Sequence, residues 1–341
     1  MISNRIISYQ WFSKYRNQMM GISIIGILFC HYDECRSLSG MGSTKMSLLL
    51  SMGTCFVDVF LLLSGIGLFY SFDKNHRLDM FYKKRILRLL PTYLILAVPY
   101  WIYNDMILQH LGISSTLYDL TFLSMLFNGV HRFWFIFAII ILYFLFPAFF
   151  YILQKGQYRI IMFVLSIALS IIVGAIIHVC IPQIYGNLRI MIERIPIFII
   201  GIYYGSKCKR EHQTRITTVI ILFLVMILSQ CLIHIDALSR VGVYFSYYAA
   251  SLLGLFMSFV MIIMFEQLSG TIFMKYINKV LAFLGTITLE IYLLHSMIKN
   301  LLGYPGDIRT YVVAVVLLPI PLAYFVHKIC MWILRRVKNE I

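Results

Sequence analysis

Long apolar stretches fill most of this chain, and each has about the length that crosses a lipid bilayer. Residues 47–70, 216–232 and 243–265 are mostly hydrophobic. A helix needs about 20 consecutive, mainly apolar residues to cross the hydrocarbon layer. The pattern therefore predicts membrane-spanning helices rather than the core helices of a soluble protein.

The stretches divide the chain into about ten predicted transmembrane helices, which makes the expected fold an all-α, polytopic membrane protein. The predicted spans are residues 19–31, 47–72, 86–103, 133–153, 160–180, 194–206, 217–235, 243–265, 280–299 and 310–334. Residues 118–128 are a candidate for a re-entrant or interfacial helix. Because no long hydrophilic insert or internal repeat interrupts this order, one membrane domain over residues 1–341 is expected.

Basic residues are divided unevenly between the two sets of alternating connections. Of the 29 Lys and Arg residues, 20 lie in the set that includes both termini, whereas eight lie in the other set. Cytoplasmic loops retain an excess of Lys and Arg. We therefore predict that both termini face the cytoplasm. The net charge of +15 then follows from topology and contact with lipid headgroups, and no nucleic-acid partner is expected.

Composition supports the membrane assignment and gives no indication of a metal site. Hydrophobic residues make up 61% of the chain and charged residues 13%, whereas soluble domains carry roughly a quarter charged residues. The seven cysteines form no CxxC pair and have no spacing typical of metal ligands. We expect no bound metal.

Ionisable groups at the ends of two predicted spans are the first candidates for a functional site, because such groups are costly near hydrocarbon. His31 ends the first span and is followed by Asp33, while His295 lies near the end of the ninth span. Tyr292 lies three residues before His295 and shares its helical face. A neutral imidazole here can act as a general base. The alternatives are an interfacial histidine that caps a span and a hydrogen bond between helices.

Polar residues in two further spans are also candidates. Asp58 and Ser64 lie within the second span, where an aspartate needs a partner. Glu193 and Arg194 begin the short sixth span on the predicted outer side. An ordinary interfacial anchor is the alternative for this last pair.

On the predicted cytoplasmic side, Arg85 and Arg88 lie three residues apart on one helical face, just before Pro91. Guanidinium groups placed in this way can bind phosphate oxygens. The alternative is that these arginines are only part of the excess of basic residues that cytoplasmic loops usually carry.

Six segments in this order resemble the membrane acyltransferase 3 family, and the resemblance covers nearly the whole chain. Members of this family move acyl groups, most often acetyl, from acyl-coenzyme A to carbohydrate hydroxyls. The matching segments are 20–31 ending in His31, 56–65, Arg85 and Arg88 before Pro91, 133–135 before Tyr143 and Pro147, 194–201, and 291–295. One position departs from the pattern, because Met20 stands where many members have an arginine, and Arg16 lies one turn earlier.

The resemblance implies that His31 is essential and that Arg85 and Arg88 serve the acyl donor, acetyl-coenzyme A, on the cytoplasmic side. We assign His31 as the general base that activates an acceptor hydroxyl arriving from outside. The other candidate catalytic residues are Glu193, Tyr292 and His295, and the candidate acceptor-binding residues are Asp33, Ser64, Trp134 and Arg194. Tyr292, Ser64 or Arg194 is the candidate donor to the developing oxyanion, and Glu193 or Asp33 the candidate for orienting the imidazole.

The expected partners are therefore acyl-coenzyme A, a cell-envelope or exported carbohydrate and membrane lipids, in a bacterial plasma membrane. A carrier that exports a small metabolite or a lipid-linked sugar is the alternative from a different class, since buried charges also form transport sites. The lack of internal repeats counts mildly against a carrier. The two hypotheses differ because only a transferase must consume acyl-coenzyme A and depend on His31.

Overall fold

The computed structural model describes residues 6–40, 44–154, 156–233 and 239–339, and helices dominate these residues. The α-helices are α1 (Gln10–Lys14), α2 (Arg16–Leu38), α3 (Thr44–Ser51), α4 (Cys55–Asp73), α5 (Leu78–Trp101), α6 (Ile113–Leu120), α7 (Leu123–Asn128), α8 (Trp134–Leu153), α9 (Arg159–Cys180), α10 (Pro182–Ile192), α11 (Ile195–Lys209), α12 (Ile216–Ile233), α13 (Ser239–Leu268), α14 (Ile272–Thr286), α15 (Thr288–Leu301), α16 (Ile308–Thr310) and α17 (Pro319–Asn339). Short 3₁₀ segments cover Met52–Thr54 and Gly156–Tyr158, and π-helical segments cover Ile102–Leu108 and Tyr311–Leu317. Two strands, β1 (Ile6–Ser8) and β2 (Gln213–Arg215), complete the described elements.

Within the described residues, six helical segments are long and apolar enough to cross a membrane, and there are seven if one bent helix pair is counted as a single span. The six are Lys45–Asp73, Leu78–Leu108, Trp134–Leu153, Gly156–Cys180, Tyr248–Leu268 and Ile308–Arg336. The seventh consists of α14 and α15, which are bent by 71° at their junction. The all-α, polytopic membrane fold is confirmed, whereas the count of ten spans is not.

Four of the ten predicted spans differ from simple spanning helices. The first lies in α2, where charged residues occupy both ends of the helix. The sixth lies in α11, whose 15 residues give about 22 Å of helix, less than the roughly 30 Å of hydrocarbon. The seventh lies in α12, which is apolar over the short stretch Ile216–Ser229. The ninth, 280–299, is broken between α14 and α15 rather than being one straight helix. The segment 118–128 forms parts of the two short helices α6 and α7.

One face of the molecule gathers the connections that are rich in Lys and Arg, and we call it the basic face. Strand β1 pairs with β2 in antiparallel register, which ties the described N-terminal end to the connection after α11. Lys209 forms an ion pair with Asp73 at the end of α4. Lys14 contacts Glu266 near the end of α13 at 2.6 Å. Leu334, near the end of α17, lines a cavity together with Lys84. Both described ends of the chain therefore lie on one face, and its cytoplasmic orientation stays a prediction.

Helix α9 exposes its apolar side chains and buries its small residues against the protein. Its buried residues are Ser166, Ser170 and Gly174, which are spaced four apart on one face. In contrast, Ile160 and Val179 are 66% and 78% exposed. An exposed apolar surface with small residues at the helix contact is typical of a helix that faces lipid.

Glycines bring the backbones of α2 and α14 close together. A Cβ atom on Gly21 of α2 would overlap the carbonyl of Leu281 in α14, and one on Gly285 would overlap the carbonyl of Asn17 in α2. Small residues at helix contacts allow such close approach in membranes. The contact fixes α14 against α2 just before the junction at which α15 turns away.

We expect Gly285→Ala to destabilise the protein, because its methyl group meets backbone atoms that cannot move aside. Overpacking of this kind typically costs about 1–3 kcal/mol. The thermal unfolding midpoint in detergent should fall by several degrees. The matched control is Gly186→Ala on α10, where an added Cβ meets no atom within 4 Å. Equal midpoints for both variants would contradict the described helix contact.

Candidate active site

A cavity of about 400 Å³ lies toward the basic face and is lined by three arginines, Arg16, Arg85 and Arg88. Arg16 comes from α2 and the other two from α5. No Asp or Glu belongs to the lining. Three guanidinium groups with no lining carboxylate make this basic-face cavity suitable for an anion such as a phosphate.

The arginine side chains are held by the walls of the cavity. The Arg85 guanidinium lies 5.4 Å from the ring centre of Phe81 and 5.9 Å from that of Tyr143. Its Nε atom is buried and has no hydrogen-bond partner in the described part of the chain. The Nε of Arg16 lies 3.5 Å from the carbonyl oxygen of Leu63. Arg16 therefore shares a cavity with the predicted donor-binding pair, one helical turn from Met20.

A second cavity, of about 730 Å³, lies on the opposite face of the molecule. Its lining includes His31 and Glu34 from α2, Trp134 from α8, and Tyr292 and Lys299 from α15. The side chains are both polar and aromatic, which suits a hydroxyl-rich ligand better than a purely apolar one. We call it the opposite-face cavity.

His31, Glu34 and Lys299 form a compact hydrogen-bonded cluster in this cavity. The Nδ1 atom of His31 lies 2.8 Å from Oε2 of Glu34 and 3.2 Å from Nζ of Lys299. The ammonium group of Lys299 donates to the same Glu34 oxygen at 2.5 Å. A carboxylate that accepts from Nδ1–H leaves Nε2 as the unprotonated nitrogen. In the tautomer whose Nδ1–H donates to Glu34, Nε2 of His31 can accept a hydrogen bond.

A second histidine lies directly beside the first. The ring centres of His31 and His295 are 5.0 Å apart, and His295 is completely buried. Nδ1 of His295 lies 3.0 Å from the carbonyl oxygen of Ile291, which can only accept a hydrogen bond. In the neutral ring Nδ1 therefore carries the hydrogen, and Nε2 is an acceptor with no partner in the described residues. Tyr292 packs against His295 at 5.5 Å.

The two cavities have one lining residue in common. Tyr292 contributes to the lining of both, and it is itself almost completely buried. The α2 residues that line the cavities are Arg16, Met20 and Ile27 on the basic side and Cys30, His31 and Glu34 on the opposite side. They lie on one side of the helix, because five of them follow one another at steps of three, four or seven residues and Cys30 lies three residues after Ile27. The 18 helical steps from Arg16 to Glu34 extend over about 27 Å, close to the roughly 30 Å of hydrocarbon.

The structure brings Glu34, rather than Glu193 or Asp33, to the imidazole of His31. Glu193 is fully buried and accepts hydrogen bonds from Tyr185 at 2.5 Å and Arg189 at 2.7 Å. One carboxylate oxygen of Asp33 is buried without a hydrogen-bond partner among the described residues. The expectation that Glu193 or Asp33 orients His31 therefore needs correction, because Glu34, one helical turn after His31, occupies that position.

The other predicted residues are divided between several places. Trp134 lines the opposite-face cavity, whereas Ser64 lines the basic-face cavity, away from the expected acceptor position. Arg194 is buried with its Nε 3.5 Å from Oδ1 of Asp58 and its guanidinium 5.5 Å from the ring centre of Trp134. Oδ1 of Asp58 also accepts a hydrogen bond from Ser251 at 2.8 Å. Arg194 thus supports the wall behind Trp134 and is absent from the lining of both cavities.

Sequence reasoning passed over two of the residues that complete the site. Glu34 lies three residues after His31, and Lys299 lies four residues after His295. Both spacings put the pairs on one helical face. Lys299 is one of the eight basic residues counted in the connections of the second set, and its helical spacing from His295 was the signal that could have identified it.

Comparison with known proteins identifies the family. A family model described as an acyltransferase domain matches residues 17–328, which is most of the chain. The chain therefore belongs to the acyltransferase 3 family and is a multi-pass membrane acyltransferase, as the resemblance predicted. No curated protein and no solved structure matches it.

We expect Glu34→Gln to lower the turnover rate of acyl transfer, because a neutral amide holds the imidazole less well in the tautomer with a free Nε2. General-base catalysis is worth about 10²- to 10⁴-fold, so a loss of at least tenfold in kcat should be measured. Glu193→Gln and Asp33→Asn serve as comparisons and should lower kcat less. A larger loss in either comparison variant would restore the original assignment.

Proposed function

We propose that the protein is a membrane O-acyltransferase that moves an acyl group, most often acetyl, from cytoplasmic acyl-coenzyme A to a carbohydrate hydroxyl on the other side of the membrane. The observation that carries this proposal is that Tyr292 lines both cavities, one of which also contains His31. One cavity suits an anionic donor, and the other suits a polar acceptor. A transferase of this kind needs both sites to reach a single reacting centre.

The basic-face cavity is the donor site in this proposal. Phosphate groups of coenzyme A bind Arg16, Arg85 and Arg88, since arginine matches phosphate oxygens in geometry and charge. The lining turns apolar toward the centre, at Ile27 and Phe135. This is the path along which the pantetheine arm carries the thioester toward Tyr292. Arg16 replaces the arginine that many family members have at the position of Met20.

The opposite-face cavity is the acceptor site, and His31 is the general base. Nε2 of His31 removes the proton from the acceptor hydroxyl while the oxygen attacks the thioester carbon. The carbon–sulfur bond then breaks, and the thiolate of coenzyme A takes the proton back from His31. No acyl-enzyme is required. The Tyr292 hydroxyl is the candidate donor to the oxyanion, because Tyr292 borders both cavities.

The orientation of the protein in the membrane follows from the unequal distribution of Lys and Arg between its two faces. The basic face carries the excess of Lys and Arg that cytoplasmic loops retain, and coenzyme A is a cytoplasmic compound. The acceptor cavity then opens toward the outside of a bacterial plasma membrane, where envelope glycans are assembled. Membership of an acyltransferase family counts against the alternative of an export carrier.

The direct test uses purified protein in detergent with radiolabelled acetyl-coenzyme A and a panel of envelope glycans. We expect labelled glycan from the native protein and a loss of about 10²-fold or more with His31→Ala, because the general base is removed. Donor binding should stay within a few-fold of native in this variant, since His31 lines the other cavity.

The donor site is tested in the same assay with the double variant Arg85→Ala and Arg88→Ala. Loss of two phosphate contacts should raise the KM for acetyl-coenzyme A at least tenfold, with a smaller change in kcat. Lys83→Ala is the matched control, because Lys83 lies on the same helix but outside the basic-face cavity. Native-like activity of His31→Ala, or an unchanged donor KM in the double arginine variant, would contradict the proposed roles.

A further inference from the structure

The opposite-face cavity is more basic than topology requires. Only eight of the 29 Lys and Arg residues belong to connections on this side of the membrane. Three of these, Arg132, Arg189 and Lys299, line this single cavity, and Glu34 is the one carboxylate in its lining. The excess of basic residues in cytoplasmic loops cannot explain a positive cluster on this face.

Two of the three cations are neutralised by nearby carboxylates. Lys299 pairs with Glu34 at 2.5 Å, and Arg189 pairs with the buried Glu193 at 2.7 Å. Arg132 differs, because its described hydrogen-bond partners are the neutral Tyr100 hydroxyl and the Asn104 side-chain oxygen. No carboxylate of the described residues lies within ion-pair distance of it.

The two hydrogen bonds of Arg132 use only one of the three nitrogen atoms of its guanidinium group. Both are made by Nη1. The guanidinium group has five N–H donors in a planar fork. Nε and Nη2 therefore keep three N–H groups that make no hydrogen bond within the described chain. This edge has the spacing that binds a carboxylate or phosphate through two parallel hydrogen bonds.

The surroundings hold Arg132 in place before any ligand binds. Its guanidinium lies 5.3 Å from the ring centre of Trp101 and 5.6 Å from that of Tyr100. Its main-chain oxygen accepts a hydrogen bond from Ser296 on α15 at 3.1 Å. The same helix carries Tyr292 and Lys299, so Arg132 is fixed relative to the reacting centre. A side chain held in this way loses little freedom on binding.

We propose that Arg132 binds an anionic group of the carbohydrate acceptor, a carboxylate or a phosphate, and so selects acidic glycans as substrates. This inference rests on the proposed function, because it treats the opposite-face cavity as the acceptor site. The anion lies on the Nε and Nη2 edge of Arg132. The hydroxyl that becomes acylated then lies toward His31.

Binding is measured first, without acyl transfer. The probes are a hexuronic acid oligosaccharide, the same oligosaccharide with its carboxyl groups reduced to alcohols, and a phosphate-bearing hexose oligosaccharide. The native protein should bind at least one anionic probe with a Kd at least tenfold lower than that of the reduced probe. Preference for the uronic acid identifies a carboxylate, and preference for the phosphorylated probe identifies a phosphate.

Variants assign the preference to Arg132. Arg132→Gln should bind the anionic and reduced probes equally, whereas Arg132→Lys should keep part of the preference because it keeps the charge. Arg309→Gln, which removes an exposed arginine outside the cavity, is the control and should behave as native. Equal binding of all three probes by the native protein, or an undiminished preference in Arg132→Gln, would overturn the inference.

Acyl transfer to the same probes separates this inference from the proposed function. In transfer, Arg132→Gln should raise the KM for the anionic acceptor at least tenfold and leave kcat within a few-fold of native. Anion-selective binding that depends on Arg132, without transfer from acetyl-coenzyme A to any glycan, would retain the anion site and overturn the proposed function. Transfer to acidic and reduced acceptors with equal kcat/KM would retain the function and overturn the anion site.

Discussion

Charged side chains near hydrocarbon must be covered by protein, and helix α2 carries such side chains toward both of its ends. Arg16 begins the helix, and His31 and Glu34 lie near its other end. The neighbouring helices must therefore enclose α2, which its glycine contact with α14 makes possible. One face of α2 remains free of this packing and lines both cavities. The covering of a single polar helix thus explains why polar groups collect at two faces of an otherwise apolar bundle.

The junction between α14 and α15 follows from the same requirement. α14 packs against α2 through Gly21 and Gly285, and a straight continuation would keep the next residues against that side of α2. The bend of 71° instead directs α15 toward the site. Tyr292 and Lys299 then reach the cavities from α15. The broken helix therefore supplies the residue between the two cavities and the cation that binds Glu34.

The sequence allowed the helical membrane fold and several site residues to be predicted, because apolar length and ionisable groups near spans are both visible in one dimension. His31, Tyr292, His295, Arg85 and Arg88 were predicted in this way, and their roles stay predictions. The bend after α14 could not be predicted, since hydrophobicity reports how long a segment is and not whether it is straight. The partner of His31 was also assigned incorrectly. The choice among Asp33, Glu34 and Glu193 depends on helix rotation and tertiary contact.

The most direct test of a reaction that crosses the membrane places the two substrates on opposite sides of it. Purified protein is reconstituted into sealed vesicles with radiolabelled acetyl-coenzyme A trapped inside and a glycan that cannot cross the membrane supplied only outside. We predict labelled glycan in the outer solution, formed by those molecules whose basic face points inward, and no such product with His31→Ala. Label that reaches glycan only when donor and acceptor share one compartment would contradict transfer across the membrane.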